Sequence, residues 1–573
     1  MEMTSWIITV LVISTIHAIC TWKLYIKAGR KAWEAFVPVY NGIVLMQIIN
    51  RPKWWMFLVF LPVINLLILP VIWIETLRTF GKKTTADMWL GVVTFGLYIG
   101  YVNYTQDVSY EANRETKPAT KALDTLGSLT FALIVATFVH TYFIQPFVIP
   151  SSSLEKTLLK GDFLFVSKFH YGARTPITPI AAPMVHDTIP VIHKKSYSTW
   201  PSLPYFRLPA ISKIERNDIV VFNWPADTLF HMYKAADKKY IKPIDKKTNY
   251  VKRCTAIPGD ILQIKDGILM INGKESILPE RAHPQFNHNV YSKNGVPTES
   301  LSKAGSTEFM RTFIVNIYNE KQSNLIQQYA RGASKNKDES YTIYTESEGI
   351  PERLLRENNI SLQEISDYKR EANLTIANAE KLRKIEGIDS VIRNISKTDT
   401  IGSEIFPHNQ KWTQDNLGPI KIPSKNDVIT LNKDNIAFYK KIITEYEHNT
   451  LSISGNEIKI NNQITNKYII KQDYFWLMGD NRHNSLDSRF WGFVPEDHIV
   501  GKPIFVWLSV EGIEKGLGNF RNWRPRWDRM FTVVHGDGQP ESYFKHFIIL
   551  LGAYFVWDWF RGRKKKKKEA DLL

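Results

Sequence analysis

An apolar run over residues 126–147 stops just short of three consecutive serines, Ser151, Ser152 and Ser153. Roughly 20 mostly apolar residues suffice to cross a bilayer as a helix. Within hydrocarbon, a helix is the open-ended form that satisfies its own backbone. Whatever follows such a helix must start folding at a fixed height above the membrane. Here the continuation is the serine cluster, a turn at Gly161 and Asp162, and a short apolar strand over 163–166.

Three more stretches are candidates to span: residues 6–25, 54–74 and 88–104, the last being short. Pro62 and Pro70 should kink the second. Residues 32–49 are apolar but interrupted by Glu34, Pro38 and Asn41, and read as re-entrant or interfacial. The first segment lacks a small-residue cleavage site and reads as a retained anchor. Lys23, Lys27, Arg30 and Lys31 after the first span, and Arg114, Lys117 and Lys121 before the fourth, place both loops on the cytoplasmic side. Lys82 and Lys83 weakly oppose this. The 126–147 helix then runs outward and delivers the serines to the far side. At the other end, residues 544–560 are apolar and aromatic, followed by Arg561, Arg563 and the lysines at 564–568. That pattern reads as a short spanning helix with a cytoplasmic stop; Lys545 and Asp558 leave an interfacial helix as the alternative.

The formal charge of +17 suits a nucleic-acid binder or an anionic membrane surface. The cations cluster beside apolar segments and at the C-terminus, and no nucleic-acid module is visible, so the membrane reading is preferred. The 573 residues exceed one ordinary core. Strands dominate 148–279 and 425–520, with candidates at 163–166, 218–222, 250–256, 268–271, 474–478 and 503–508 and hairpin turns at 265–268 and 454–457. Residues 280–424 form a polar, lysine- and asparagine-rich insertion, with helices expected over 350–368 and 374–385. The organisation is therefore a multi-spanning region (1–123), a transmembrane helix (124–147), a β domain (148–279 and 425–520) carrying the insertion, and a membrane helix with a basic tail (543–573).

A serine is a poor nucleophile until a base takes its proton. None of the 14 histidines lies in a hydrolase motif, and Gly-x-Ser-x-Gly and His-Glu-x-x-His are absent. Cys20 and Cys254 offer neither a disulfide nor metal-ligand spacing. The other available base is a lysine, which burial holds neutral. Residues 250–256 read YVKRCTA; strand alternation sets Lys252 beside Tyr250 and Cys254, opposite Val251 and Arg253. An exposed edge-strand lysine is the competing reading. Residues 479–489, GDNRHNSLDSR, pack charges and amides between apolar strands as a polar network, an active-site wall or a solvated loop, with Asp487 and Arg489 able to pair.

These patches, together with RNDIVVF at 216–222, resemble in type and order the boxes of bacterial type I signal peptidases. The likeness covers about 126–280 and 450–510. It implies a mainly β catalytic domain, the signal-peptidase-like antiparallel β fold, with N-terminal transmembrane α-helices, a long mixed insertion and a C-terminal membrane helix. It implies a membrane-bound serine endopeptidase, working without metal or cofactor, that cuts signal peptides from exported precursors after small residues in an Ala-x-Ala-like pattern. Carried over, Ser153 is the nucleophile, Lys252 the general base, and Ser485 the group that orients the lysine. Ser151 joins the backbone N–H of Ser153 in the oxyanion hole, and Asp487 and Arg489 form a structural ion pair. Phe147, Ile149, Pro150, Leu158, Tyr250 and Val251 line the substrate groove. The implied partners are signal-peptide-bearing precursors, the phospholipid bilayer and the secretion machinery, not nucleic acid. The implied place is the bacterial cytoplasmic (inner) membrane, multi-pass, with the catalytic domain on the outer or periplasmic side.

The departures are Leu154 where methionine is usual, Lys156 for proline, Asn217 and Ala256 for glycine, and His483 for aspartate. Asn217 tolerates positive φ, and Lys156 is expected to snorkel to head groups. Two other readings compete: a catalytically silent scaffold that binds partners through the insertion, and a self-cleaving Ser–Lys protein. The extra N-terminal helices and the insertion read as a tether and a surface elaboration.

Overall fold

The computed structural model describes residues 2–114, 121–229, 239–398, 400–401, 403–455, 457–513, 520 and 523–570. Its central sheet takes strands from both ends of the β domain in the order Ile144–Val148, Asp162–Ser167, Ile499–Glu511, Ile219–Asn223, Asn249–Ala256, Tyr474–Met478 and Val494–Pro495. Every pairing is antiparallel. The two short strands Arg524–Pro525 and Thr532–Val533 also pair with Ile499–Glu511. Alternate side chains separate into two cores. Ile219 and Val221 pack with Ile149, Leu154, Leu158, Leu164 and Val166. Val220 and Phe222 pack with Tyr171, Cys254, Leu477 and Trp491. The sheet is thus buried on both sides, and residues on the two faces of Asn249–Ala256 enter different environments.

The hairpin expected at 265–268 joins Ile261–Lys265 to Ile268–Ile271. Asp266 and Gly267 both have positive φ, 47° and 79°, as a two-residue hairpin turn requires. The second hairpin joins Leu451–Ser454 to Glu457–Ile460; its Asn456 lies outside the described residues.

The insertion contains two four-stranded antiparallel sheets, one ordered Glu308–Phe309, Lys369–Thr375, Gln285–Tyr291, Ser390–Arg393, the other Ala330–Lys335, Tyr341–Thr345, Arg311–Val315, Leu362–Ile365. Each has its own apolar core. Both helices expected there form, but shorter than expected. Within 350–368 only Glu352–Glu357 is helical; Asn359, at φ 51°, turns the chain out of the helix and into Leu362–Ile365. Over 374–385, Lys369–Thr375 is a strand whose last residue caps the helix Ile376–Arg383, the Thr375 hydroxyl accepting from the Asn378 N–H at 3.1 Å.

Two of the four expected spans are long apolar helices, Trp6–Lys27 and Asp124–Tyr142, and among the described residues these two alone combine the required length and composition. Residues 54–74 are split into Trp55–Phe60 and Asn65–Thr79. Pro62 forces the preceding Leu61 out of helical geometry, and Val63, at φ 69°, donates its N–H to Pro179 of the β domain. Pro70 is accommodated inside Asn65–Thr79. Residues 88–104 are divided between Thr85–Val93 and Leu97–Thr105. The break is Gly96, at φ 83°, where a Cβ would lie 2.6 Å from the Trp73 ring. Trp55–Phe60, Asn65–Thr79 and Leu97–Thr105 pack with Tyr40–Ile48 against the first helix in one core. Glu75 is buried there with Arg51, Arg78 and Arg114 as ion-pair partners. Arg114 is therefore an internal partner rather than a free loop charge; Lys117 lies outside the described residues.

The helix leading to the serines ends at Tyr142, earlier than the expected 147. Residues 144–148 instead form the edge strand of the central sheet. Pro146 cannot continue a helix, and Lys168 Nζ donates to the terminal carbonyls of His140 and Thr141 at 2.9 and 3.1 Å. The C-terminal helix Phe544–Ala570 has the length to span, with Lys545, Asp558, Arg561 and Arg563 along it.

Candidate active site

The strand Ile144–Val148 runs directly into the serine loop. Leu154 and Leu158 anchor that loop in the core, and successive turns fold it back on itself, the N–H groups of Thr157 and Leu158 both donating to the Leu154 carbonyl. Ser153 is buried to 9% exposure, and its hydroxyl lies 3.5 Å from that of Ser151.

Lys252 sits mid-strand, opposite Val220 on one side, and is 4% exposed. Among the described residues its Nζ has no hydrogen-bond or ion-pair partner. Burial pulls its pKa down from 10.5 to about 8, against the raising influence of Asp487 and Asp480 and with some help from Arg489. The lysine is therefore not a solvated edge residue.

Residues 479–489 bring the serine and lysine segments together. The loop continues the strand Tyr474–Met478, in which Met478 pairs with Arg253 and Leu477 with Cys254, the two residues that follow Lys252. At its start, Gly479 packs so closely that a Cβ would lie 2.3 Å from Ser485 Oγ and 2.5 Å from the Ser153 carbonyl. Only glycine fits. The Asn481 N–H donates to the same Ser153 carbonyl at 3.1 Å. Ser485 Oγ donates to Asp487 Oδ2 at 2.8 Å; the structure shows no hydrogen bond from it to Lys252, nor one between Lys252 and Ser153.

Asp487 and Arg489 form a fully buried bidentate pair, Nε to Oδ1 at 2.9 Å and Nη2 to Oδ2 at 2.8 Å. Asp487 Oδ2 also accepts the Gly479 N–H at 3.1 Å. Burial works against the Asp487 carboxylate, but Arg489 overrides it and holds the pKa below the ordinary range. A second buried pair was not anticipated from sequence. Arg253 donates to Asp480 through Nε and Nη2 at 2.8 and 2.6 Å, and Thr157 of the serine loop donates to the same carboxylate at 2.7 Å. Its sequence signal was available: Arg253 follows the lysine, and Asp480 follows Gly479.

Of the residues implied for the substrate groove, Phe147, Ile149, Leu158 and Val251 share one apolar cluster. Tyr250 packs on the opposite face of its strand, stacked on Trp491 with ring centroids 5.8 Å apart, and Pro150 is exposed. Leu158, at 1% exposure, supports the serine loop from below instead of facing an open groove.

The departures from the family pattern acquire partners. Asn217 adopts φ 71°, the positive value its position was expected to need, and its side chain donates to the Ile277 carbonyl at 3.1 Å. Lys156 does not snorkel; its Nζ donates to the Gly305 carbonyl of the insertion. His483 bonds Asp415 at 2.8 Å through Nε2 and accepts the Asn287 N–H at Nδ1. Gln285 bridges the two loops: its side chain donates to the Glu155 carbonyl at 2.8 Å, and its backbone exchanges hydrogen bonds with Asp480 and Arg482. Burial, with the nearby Glu308 charge, pushes the Glu155 carboxyl up to about 7. The C-terminal extension also reaches the serine loop, Arg529 donating to the Thr157 carbonyl at 3.2 Å and to Asp162 at 2.6 Å.

The family described as signal peptidase, peptidase S26, matches residues 122–330 and 417–508, over half of the chain. The chain belongs to this family. It is a serine endopeptidase, a hydrolase. A family described as of unknown function (DUF5684) matches residues 33–113, within the N-terminal helices. Similar curated proteins include the Signal peptidase I of Buchnera aphidicola subsp. Baizongia pistaciae, 23% identical over 68% of this chain and 78% of its own. That of Haemophilus influenzae is 23% identical over 74% and 80%. That of Helicobacter pylori strain J99 is 24% identical over 72% and 91%.

Proposed function

We propose that this peptidase removes N-terminal signal peptides from exported precursors, using Ser153 as nucleophile and Lys252 as general base. The observation that carries the assignment is the buried Lys252 ammonium, with the Tyr250 ring 5.9 Å from Nζ and no hydrogen-bond or ion-pair partner among the described residues, beside a loop whose first glycine closes on Ser153. A lysine in that setting is held ready to be neutral, which a base must be.

Ser153 Oγ attacks the scissile carbonyl carbon while neutral Lys252 Nζ takes the hydroxyl proton. The Ser151 hydroxyl and the Ser153 N–H donate to the oxyanion; donors of this kind are commonly worth about 3–4 kcal/mol. Collapse breaks the C–N bond, and the lysine ammonium protonates the departing amine. Lys252 then deprotonates a water that attacks the acyl ester, releasing the product acid and restoring Ser153 Oγ–H. Ser485 spends its hydrogen on Asp487, so its lone pairs remain to accept an N–H from Lys252 and turn the amine's own lone pair toward Ser153. The apolar cluster around Phe147, Ile149 and Val251 suits small side chains ahead of the cut, as in Ala-x-Ala precursors.

The helices Trp6–Lys27 and Asp124–Tyr142 anchor the chain in a bacterial cytoplasmic membrane, with Phe544–Ala570 as a third contact with the bilayer. The strand Ile144–Val148 sets the height of Ser153 above the bilayer. Lysines and arginines after the first helix and at the C-terminal tail keep those ends cytoplasmic and the catalytic domain outside.

The detergent-solubilised full chain, incubated with a labelled precursor, should produce one cut after an Ala-x-Ala-like site, mapped by mass spectrometry. Ser153→Ala should produce none, and undiminished cutting by that variant would sink the assignment. Because the base must be deprotonated, kcat/KM should climb as pH rises through about 8 and level off above it. A profile that is flat between pH 6.5 and 9 would show that Lys252 is not the base.

A further inference from the structure

The insertion contributes a carboxylate to the catalytic loops. Glu308, on the strand Glu308–Phe309, accepts from Asn481 Nδ2 at 2.7 Å through Oε2 and from Asn484 Nδ2 at 3.2 Å through both oxygens. The same two amide groups hold the serine loop. Asn481 Nδ2 donates to the Ser152 carbonyl at 3.2 Å, and Asn484 Nδ2 donates to Ser152 Oγ at 3.0 Å. Asn481 Oδ1 is fixed in turn by Asn373 Nδ2, also of the insertion, at 2.8 Å.

The geometry points to Glu308 as a positioning residue for Ser153, acting through Asn481, Asn484 and Ser152. The inference rests on the reading of Ser153 as nucleophile. An amide NH2 has two hydrogens, and each of these asparagines shares them between Ser152 and Glu308. A carboxylate can only accept, so its presence settles which end of each amide faces the serine loop. Ser152 thereby becomes the handle by which its neighbour is held. Displacements of about 1 Å at a reacting group can cost about 100-fold in rate, so a grip on the adjacent residue is felt in kcat before it is felt in binding.

The test uses the full chain in detergent with a purified precursor, measuring kcat and KM separately. Glu308→Ala should lower kcat by about 10- to 100-fold with KM within about twofold. Glu308→Gln keeps one accepting oxygen and should recover most of that rate. Asn484→Ala should lower kcat similarly, and combining it with Glu308→Ala should add little, as for residues acting in one chain. Glu299→Ala, on an exposed face of the adjacent helix, should behave as wild type. Wild-type kcat in Glu308→Ala overturns the proposal. If Glu308→Ala does not fold, wild-type kcat in Asn484→Ala overturns it instead. Ser153→Ala is assayed in parallel: if it cuts, the nucleophile assignment fails, whereas an inactive Ser153→Ala beside a fully active Glu308→Ala removes only the role of Glu308.

Discussion

Lys252→Met is expected to abolish precursor cleavage and, in the same molecule, to raise resistance to unfolding at neutral pH. A positioned general base is typically worth 10²–10⁴-fold, and methionine has no proton acceptor to replace the amine. The gain in stability has a separate origin. The folded lysine titrates at about 8 instead of 10.5, so at pH 7 the folded state carries a buried ammonium at a cost of about 3 kcal/mol. Methionine fills similar space without the charge. The sign of the pH dependence follows. Below about 8 the penalty on wild type is complete. Between about 8 and 10.5 the folded lysine has lost its proton while the unfolded one keeps it, so wild type gains on the variant until the difference closes. Denaturant unfolding at pH 6.5 and pH 11 measures both limits. A variant less stable than wild type at pH 6.5 would refute the picture of a buried lysine that lacks an ion-pair partner.

The second large effect is expected at Asp480. Asp480→Ala should destabilise the protein by about 3–5 kcal/mol, because it strands the buried Arg253 guanidinium and frees Thr157. Against a typical total of about 5–15 kcal/mol, that is a large share. Replacing both partners by apolar residues, Arg253→Met with Asp480→Leu, should return much of the loss, since neither charge is then left alone. Activity should not return with it, because Thr157 and the serine loop would still lack their anchor. Unfolding midpoints for the single and double variants decide the matter. Equal destabilisation in both would mean that the pair's packing, not its charge balance, carries the effect.

Much of the site could be read from the sequence, because its residues are clustered in short boxes whose neighbours are strongly apolar. The strand pattern around Lys252 already distinguished its face from that of Arg253, and asparagine at 217 signalled a positive φ that the backbone adopts. Long-range partners were less accessible. Nothing near Lys156 in sequence indicates that its ammonium meets Gly305, so a charged side chain near an apolar helix was assigned to head groups. In the insertion, polar helix-formers at 350–368 suggested a long helix, but tertiary pairing with Arg311–Val315 takes residues 362–365 into a sheet. The N-terminal spans show the reverse limit: Pro62 signals the break in the second stretch, but hydropathy does not reveal the turn at Gly96 that divides the third.

The serine loop is held by residues far along the chain. Thr157 meets Asp480 across 323 positions and Arg529 across 372. At translation rates of about 5–20 residues per second, the serines precede these supports by roughly 15 to 75 seconds. Throughout that interval the serine loop is without these supports. Assembly of the loop is thereby tied to the order of synthesis: the contacts that Asp480 and Arg529 make with it can form only after those distant segments have been made.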